Sequence, residues 1–179
     1  MASHLRVEKI VPVDGAPSGG GGGIIQVQSV TKTDTFTKPT DTTAFVDITG
    51  LSVSITPTRS DSKILVMYDL CWGIADGHAS MRLMRDSTPI KIGDAASSRT
   101  RATGHWHQDD SGNDEYDITQ HSGTFLDSPA TTSATTYKLQ VGSPNSASYT
   151  VFINRSGADN DAAWEARTCS TITVMEISG

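Results

Sequence analysis

Leu51-Ser52-Val53-Ser54-Ile55, then Thr56-Pro57-Thr58-Arg59-Ser60-Asp61-Ser62, then Ile64-Leu65-Val66-Met67-Tyr68-Asp69-Leu70-Cys71-Trp72: these three pieces decide the fold class. The first alternates apolar and hydroxyl side chains with period two, which sets one face of a strand against a core and the other against water. The second carries the Pro, Asp and Ser that turns use. The third is apolar almost throughout, interrupted by Asp69, and reads as a central strand covered on both faces.

The same grammar runs outward in both directions. Residues 24–30 and 45–48 read as strands ahead of this stretch. Beyond it, Met81 and Leu83 alternate with Arg82 and Met84, Asp86-Ser87-Thr88-Pro89 turns the chain, and Ile90 and Ile92 complete a hairpin. Phe125-Leu126 is ended by Asp127-Ser128-Pro129, while Tyr137, Leu139, Val141 and then Tyr149, Val151, Ile153 alternate once more. Residues 171–177 are rich in β-branched side chains, and only residues 161–167 suit a turn or two of helix. Eight or more short strands make an all-β sandwich or barrel. Long connections favour a jelly-roll-like β-sandwich over residues 24–179, with an immunoglobulin-like sandwich as the alternative.

Composition agrees. About a quarter of the residues are Ser or Thr, and the charged share of 19% is below the usual ~25%. The net charge is −6 and no run of Lys and Arg exceeds two neighbours, which disfavours nucleic acid and anionic membranes alike. No stretch approaches the ~20 apolar residues of a membrane span. The first fifteen residues lack the apolar core of a signal peptide, so synthesis and retention in the cytoplasm are expected until any particle is released. Cys71 and Cys169 read as free, buried thiols serving as small hydrophobes.

Residues 1–23 differ from all that follows. Leu5, Val7, Ile10 and Val11 are apolar, Pro12 and Pro17 discourage helix, and Gly19, Gly20, Gly21, Gly22 and Gly23 form an unbroken run. The glycines read as a hinge, because their backbone entropy opposes helix and strand. The apolar residues before them read as an extended assembly arm that docks on something.

Catalytic signatures are missing: there is no nucleophile elbow, no H-E-x-x-H, no phosphate loop and no dinucleotide fingerprint. No catalytic residue, cofactor or metal is expected. The long polar stretch 94–121 is the candidate recognition loop, with His105, Trp106, His107, Asp109, Asp110 and Tyr116 as its contact residues. On a strand His105 and His107 share one side, a spacing able to hold Zn²⁺ with His121 or a carboxylate as third ligand. A polar surface loop accounts for the same residues, and a small cupin-like metal enzyme would need the pair to face inward.

Several phrases carry a resemblance. Met1-Ala2-Ser3-His4-Leu5-Arg6-Val7-Glu8-Lys9-Ile10, Ile48-Thr49-Gly50-Leu51-Ser52-Val53-Ser54-Ile55-Thr56-Pro57 and Ser62-Lys63-Ile64-Leu65-Val66-Met67 resemble segments of small β-rich virion and fibre-like proteins from phages of aquatic bacteria, cyanophages especially. So do Arg85-Asp86-Ser87-Thr88-Pro89-Ile90, Phe125-Leu126-Asp127-Ser128-Pro129-Ala130-Thr131-Thr132 and Ser170-Thr171-Ile172-Thr173-Val174-Met175-Glu176-Ile177. The resemblance implies a virion structural protein, often a homotrimer, placed as tail or head fibre, knob or capsid decoration. Its partners would be other virion proteins. A receptor- or glycan-binding module at a fibre tip is the alternative expectation. Residues 94–121 take no part in the resemblance.

Overall fold

The computed structural model describes residues 23–39, 42–74, 76–108 and 114–178. Among the described residues, eleven strands form two antiparallel sheets around one shared apolar core. The first sheet holds β1 (Ile24–Lys32), β2 (Phe36–Thr37), β4 (Lys63–Ile74), β8 (Thr119–Asp127), β10 (Val151–Ile153) and β11 (Ser170–Ile177). The second holds β3 (Val46–Ile55), β5 (Gly77–Arg85), β6 (Thr88–Ile90), β7 (Gly104–Gln108) and β9 (Thr135–Gly142).

Pairing is nested. β1 lies beside β11, β3 beside β9, β4 beside β8 and β5 beside β7. That is the order of one long hairpin rolled into two sheets, consistent with the jelly roll. It departs from the immunoglobulin alternative, whose sheets follow a different strand order.

The core forms because every second side chain of the long strands points inward. Ile64, Val66, Tyr68, Leu70, Trp72 and Ile74 of β4 are buried, and from the opposite sheet Val53, Met81, Leu83 and Leu139 meet them. β4 is central in hydrogen bonding, with β8 along one edge and β11 and β10 sharing the other. The expectation that it is covered on both faces is corrected: Leu65 is half-buried and Met67 is exposed. Where β10 gives way to β11, buried Asn154 fills the gap in a left-handed conformation. Its side-chain amide donates to the Lys32 and Asp34 carbonyls, both at 2.9 Å, and its Oδ1 accepts from Ser170 Oγ at 2.6 Å. Asn tolerates this backbone better than most residues do.

Other expectations are adjusted. Residues 46–48 and 51–55 belong to one strand, β3, with Phe45 just ahead of it, and its register slips between Asp47 and Ser52, where Gly50 takes φ 81°. That irregularity lets Ile48 and Leu51 both face the core despite their odd spacing. Residues 161–167 form turns, not helix. The polar stretch 94–121 contains β7, a 3-10 turn at Asp114–Tyr116 and the start of β8. Both cysteines are free, but Cys71 is half-buried and Cys169 exposed, so neither is the fully buried hydrophobe expected. Among the described residues no helix is long and apolar enough to cross a membrane.

Candidate functional site

Each sheet turns one face outward, and the two outer faces differ in chemistry. On the second sheet, β5 and β7 pair so that His78 stands opposite His107 and Ser80 opposite His105. Directly opposed side chains share a face, so three imidazoles gather on one surface. The His78 and His107 rings stack with centroids 4.2 Å apart, and His78 Nδ1 lies 3.3 Å from His105 Nε2. Ser80 Oγ shares a hydrogen bond of 2.9 Å with His105 Nδ1. Burial, and then the charges of His78 and His107, hold His105 below its ordinary value for protonation.

A hollow of about 560 Å³ opens beside these rings, walled by Arg99, Thr100, Pro144 and Asn145. Arg82 holds the loop that carries Arg99 and Thr100. Its guanidinium covers the Phe45 ring at 3.8 Å and donates to the Arg101 carbonyl at 2.9 Å, while Arg101 donates to the Gly93 carbonyl at 2.7 Å.

The expected recognition residues divide. His105 and His107 do share a face, and it is the outer one, whereas the metal-enzyme reading required them inside. His121 points the other way, edge-on to buried Trp72 with centroids 6.4 Å apart, so it is no third ligand. Gly104 allows this, since a Cβ there would lie 2.6 Å from the His121 ring. Trp106 also turns inward and packs on the core. Tyr116 sits in the 3-10 turn, which is tied to the 156–158 loop by Ala158 N donating to the Glu115 carbonyl at 2.9 Å. Among the described residues no group of three or more His, Cys, Asp or Glu is arranged to hold a metal ion. Asp109 and Asp110 lie outside the described residues, as do Leu5, Val7, Ile10, Val11 and Gly19 to Gly22. Gly23 is described, and its carbonyl accepts from Ser178 N at 3.0 Å, so the last hinge glycine is fastened to the end of β11.

The outer face of the first sheet escaped the reading of the sequence. Register places Val27, Met175, Leu65 and Leu126 in one row across β1, β11, β4 and β8. On one side of it lies Ile24 opposite Ile177. On the other come Ser29, Thr173, Met67 and Thr124, and then Thr31, Thr171, Asp69 and Ser122. Six large apolar side chains are exposed among the described residues, and four of them are here: Ile24 at 60%, Val27 at 49%, Met67 at 40% and Leu126 at 53%. The polar rows are internally satisfied. Ser29 bonds Thr173 at 2.8 Å, Thr31 bonds Thr171 at 3.0 Å, and Gln120 donates to Asp69 at 2.7 Å. A hollow of about 450 Å³ lies over them, with Met67 and Thr173 on its lining.

The signal for this face was the unbroken apolar run Ile64-Leu65-Val66-Met67, in which both side-chain parities are apolar. Read as a strand buried on both faces, it concealed a strand buried on one face and sticky on the other. No family model matches the chain, and no curated protein is detectably similar to it in sequence.

Proposed function

We propose that this chain is a non-enzymatic structural subunit of a bacteriophage virion. It assembles as a homotrimer, and residues 1–23 attach it to its neighbours in a tail or head fibre, a knob or a capsid decoration. It is made in the host cytoplasm and carried in the virion, with other virion proteins as partners. The observation that carries this reading is the clustering of exposed apolar side chains on the outer face of the first sheet. Contiguous exposed apolar surface of this kind marks contact sites between proteins. The resemblance of several sequence phrases to those of small virion proteins points the same way.

A second reading gains support from the other sheet. The hollow beside His78 and His105 is a concave surface where Arg99 and Asn145 add polar groups to a mostly apolar lining, suited to a host-surface glycan or receptor. The two readings are compatible, because a fibre tip both assembles and binds. Antibody raised against the purified chain tests the first directly. It should label intact particles at a fixed site; labelling only of soluble lysate protein would count against a virion role.

A further inference from the structure

We propose that the apolar row Val27–Met175–Leu65–Leu126 is the seat for residues 5–11 of a neighbouring copy. The inference rests on the assembly reading above and assigns the contact by which copies join.

The shape of the row argues for an extended segment. The row crosses four strands, roughly 14 Å at about 4.8 Å per strand, and widens only where Ile24 and Ile177 flank one end and Met67 adjoins Leu65. A stable contact between two flat faces buries on the order of 800 Å² per partner, more than one such row supplies. A single extended chain fits it. Leu5 and Val7 project to the same side about 7 Å apart, within the length of the row, while Arg6 and Glu8 project to the other side. The flanking Ser29–Thr173 pair and Lys63, which donates to Ser128 at 2.8 Å, border the row with polar groups able to meet a docked backbone.

Position argues for a neighbour as donor. Ile24, opposite Ile177, lies at the tip of the sheet beside the row, and β1 runs from this tip toward Lys32. Gly23, the described residue just ahead of Ile24, is fastened to Ser178 at this tip, so a segment of the same chain would reach the row only by doubling back. Residues 12–23 span up to roughly 40 Å when extended, enough to cross to an adjoining copy. Each copy then gives one segment and receives one, a head-to-tail arrangement that closes as a ring.

Native methionines report on the row. Met175 is in it, Met67 adjoins it, and Met81 is in the core. The test records ¹³C-methyl methionine spectra of the full chain and of its Leu5→Asp/Val7→Asp variant, each over a dilution series. The Met175 and Met67 signals should shift in the variant, dilution of the wild type should produce the same shift, and Met81 should stay fixed. Signals indifferent to the variant would overturn the proposal. So would a shift that ignores dilution, which means a chain covering its own row, or one that follows dilution but not the variant, which means body-to-body contact. A wild type monomeric at every concentration defeats the assembly reading itself; an oligomer whose row signals ignore the arm defeats only this assignment.

Discussion

Tyr137 of β9 donates its hydroxyl proton to Asp127 of β8 at 2.7 Å, across the gap between the two sheets. Arg85 of β5 completes the tie, its Nη1 reaching both carboxylate oxygens at 2.9 and 3.0 Å. Three strands from two sheets thus meet on one nearly buried carboxylate. Burial, and then the Asp127 carboxylate, push the Tyr137 hydroxyl far above its ordinary ionisation range, so it remains a donor at any physiological pH.

Asp127→Ala should destabilise the fold by roughly 2–3 kcal/mol, the scale for losing a charged hydrogen-bond acceptor and stranding its donors. Tyr137→Phe should cost only about 1 kcal/mol, since Arg85 keeps its partner. Urea melts of the two variants check the order. Equal losses would mean that packing, not the carboxylate, joins the sheets here.

Glu176 gives the fold a dependence on pH. The residue is buried at the end of β11, and burial alone would raise its pKa. Donation from Gln26 Nε2 at 2.6 Å, and from Thr58 N and Oγ1 at 2.8 Å each, outweighs burial and holds the carboxyl below the ordinary 4.5. A depressed folded-state pKa adds stability above the unfolded value, and that stability is lost as pH falls through the folded one. Wild type should therefore weaken below about pH 4.5 more steeply than Glu176→Gln. Parallel melting curves for the two proteins from pH 6 to pH 3 would contradict this.

Val66 and Leu65 are neighbours in sequence with opposite roles. Val66 is fully buried, and an unpaired carboxylate there costs several kcal/mol against a total of about 5–15, so Val66→Asp should not fold. Leu65 lies in the exposed row, and Leu65→Asp should fold but associate poorly. Circular dichroism with light scattering separates the outcomes. Loss of fold in both variants would restore the picture of a strand buried on both faces.

His105 should titrate below 6.5, because burial and its two neighbouring imidazoles disfavour its charged form. A lowered histidine pKa means that the unfolded chain takes up the proton first, so the fold loses stability as pH drops from about 6.5 through the folded value. His78→Asn should move the His105 titration upward. A His105 ring that titrates at or above 6.5 in NMR spectra would contradict the packing seen on this face.

Much of the fold was legible because period-two alternation is local: the β9 and β11 patterns stand in the sequence as they stand in the sheets, and the β5–β6 hairpin is where it was expected, though its turn is tighter, with Thr88 and Pro89 already in β6 and Ile92 beyond it. What distant segments do together was not legible. His78 sits in an ordinary Gly-His-Ala-Ser context, and only the pairing of β5 with β7 brings it to His105 and His107. Trp106 and His121 looked like loop residues because nothing local says that β7 is a strand or that β8 begins as early as Thr119. The four members of the apolar row come from four separate strands, and each reads as an ordinary core residue until register aligns them.

A chain that works by assembling with copies of itself shows it in its mass in solution. Multi-angle light scattering at micromolar concentration should give about 57 kDa, three times the 19.0 kDa chain, falling to the single-chain value for Val27→Lys/Leu126→Lys with the melting temperature unchanged. A wild type that stays at 19.0 kDa, or a trimer indifferent to both lysines, would show that copies do not join through this face.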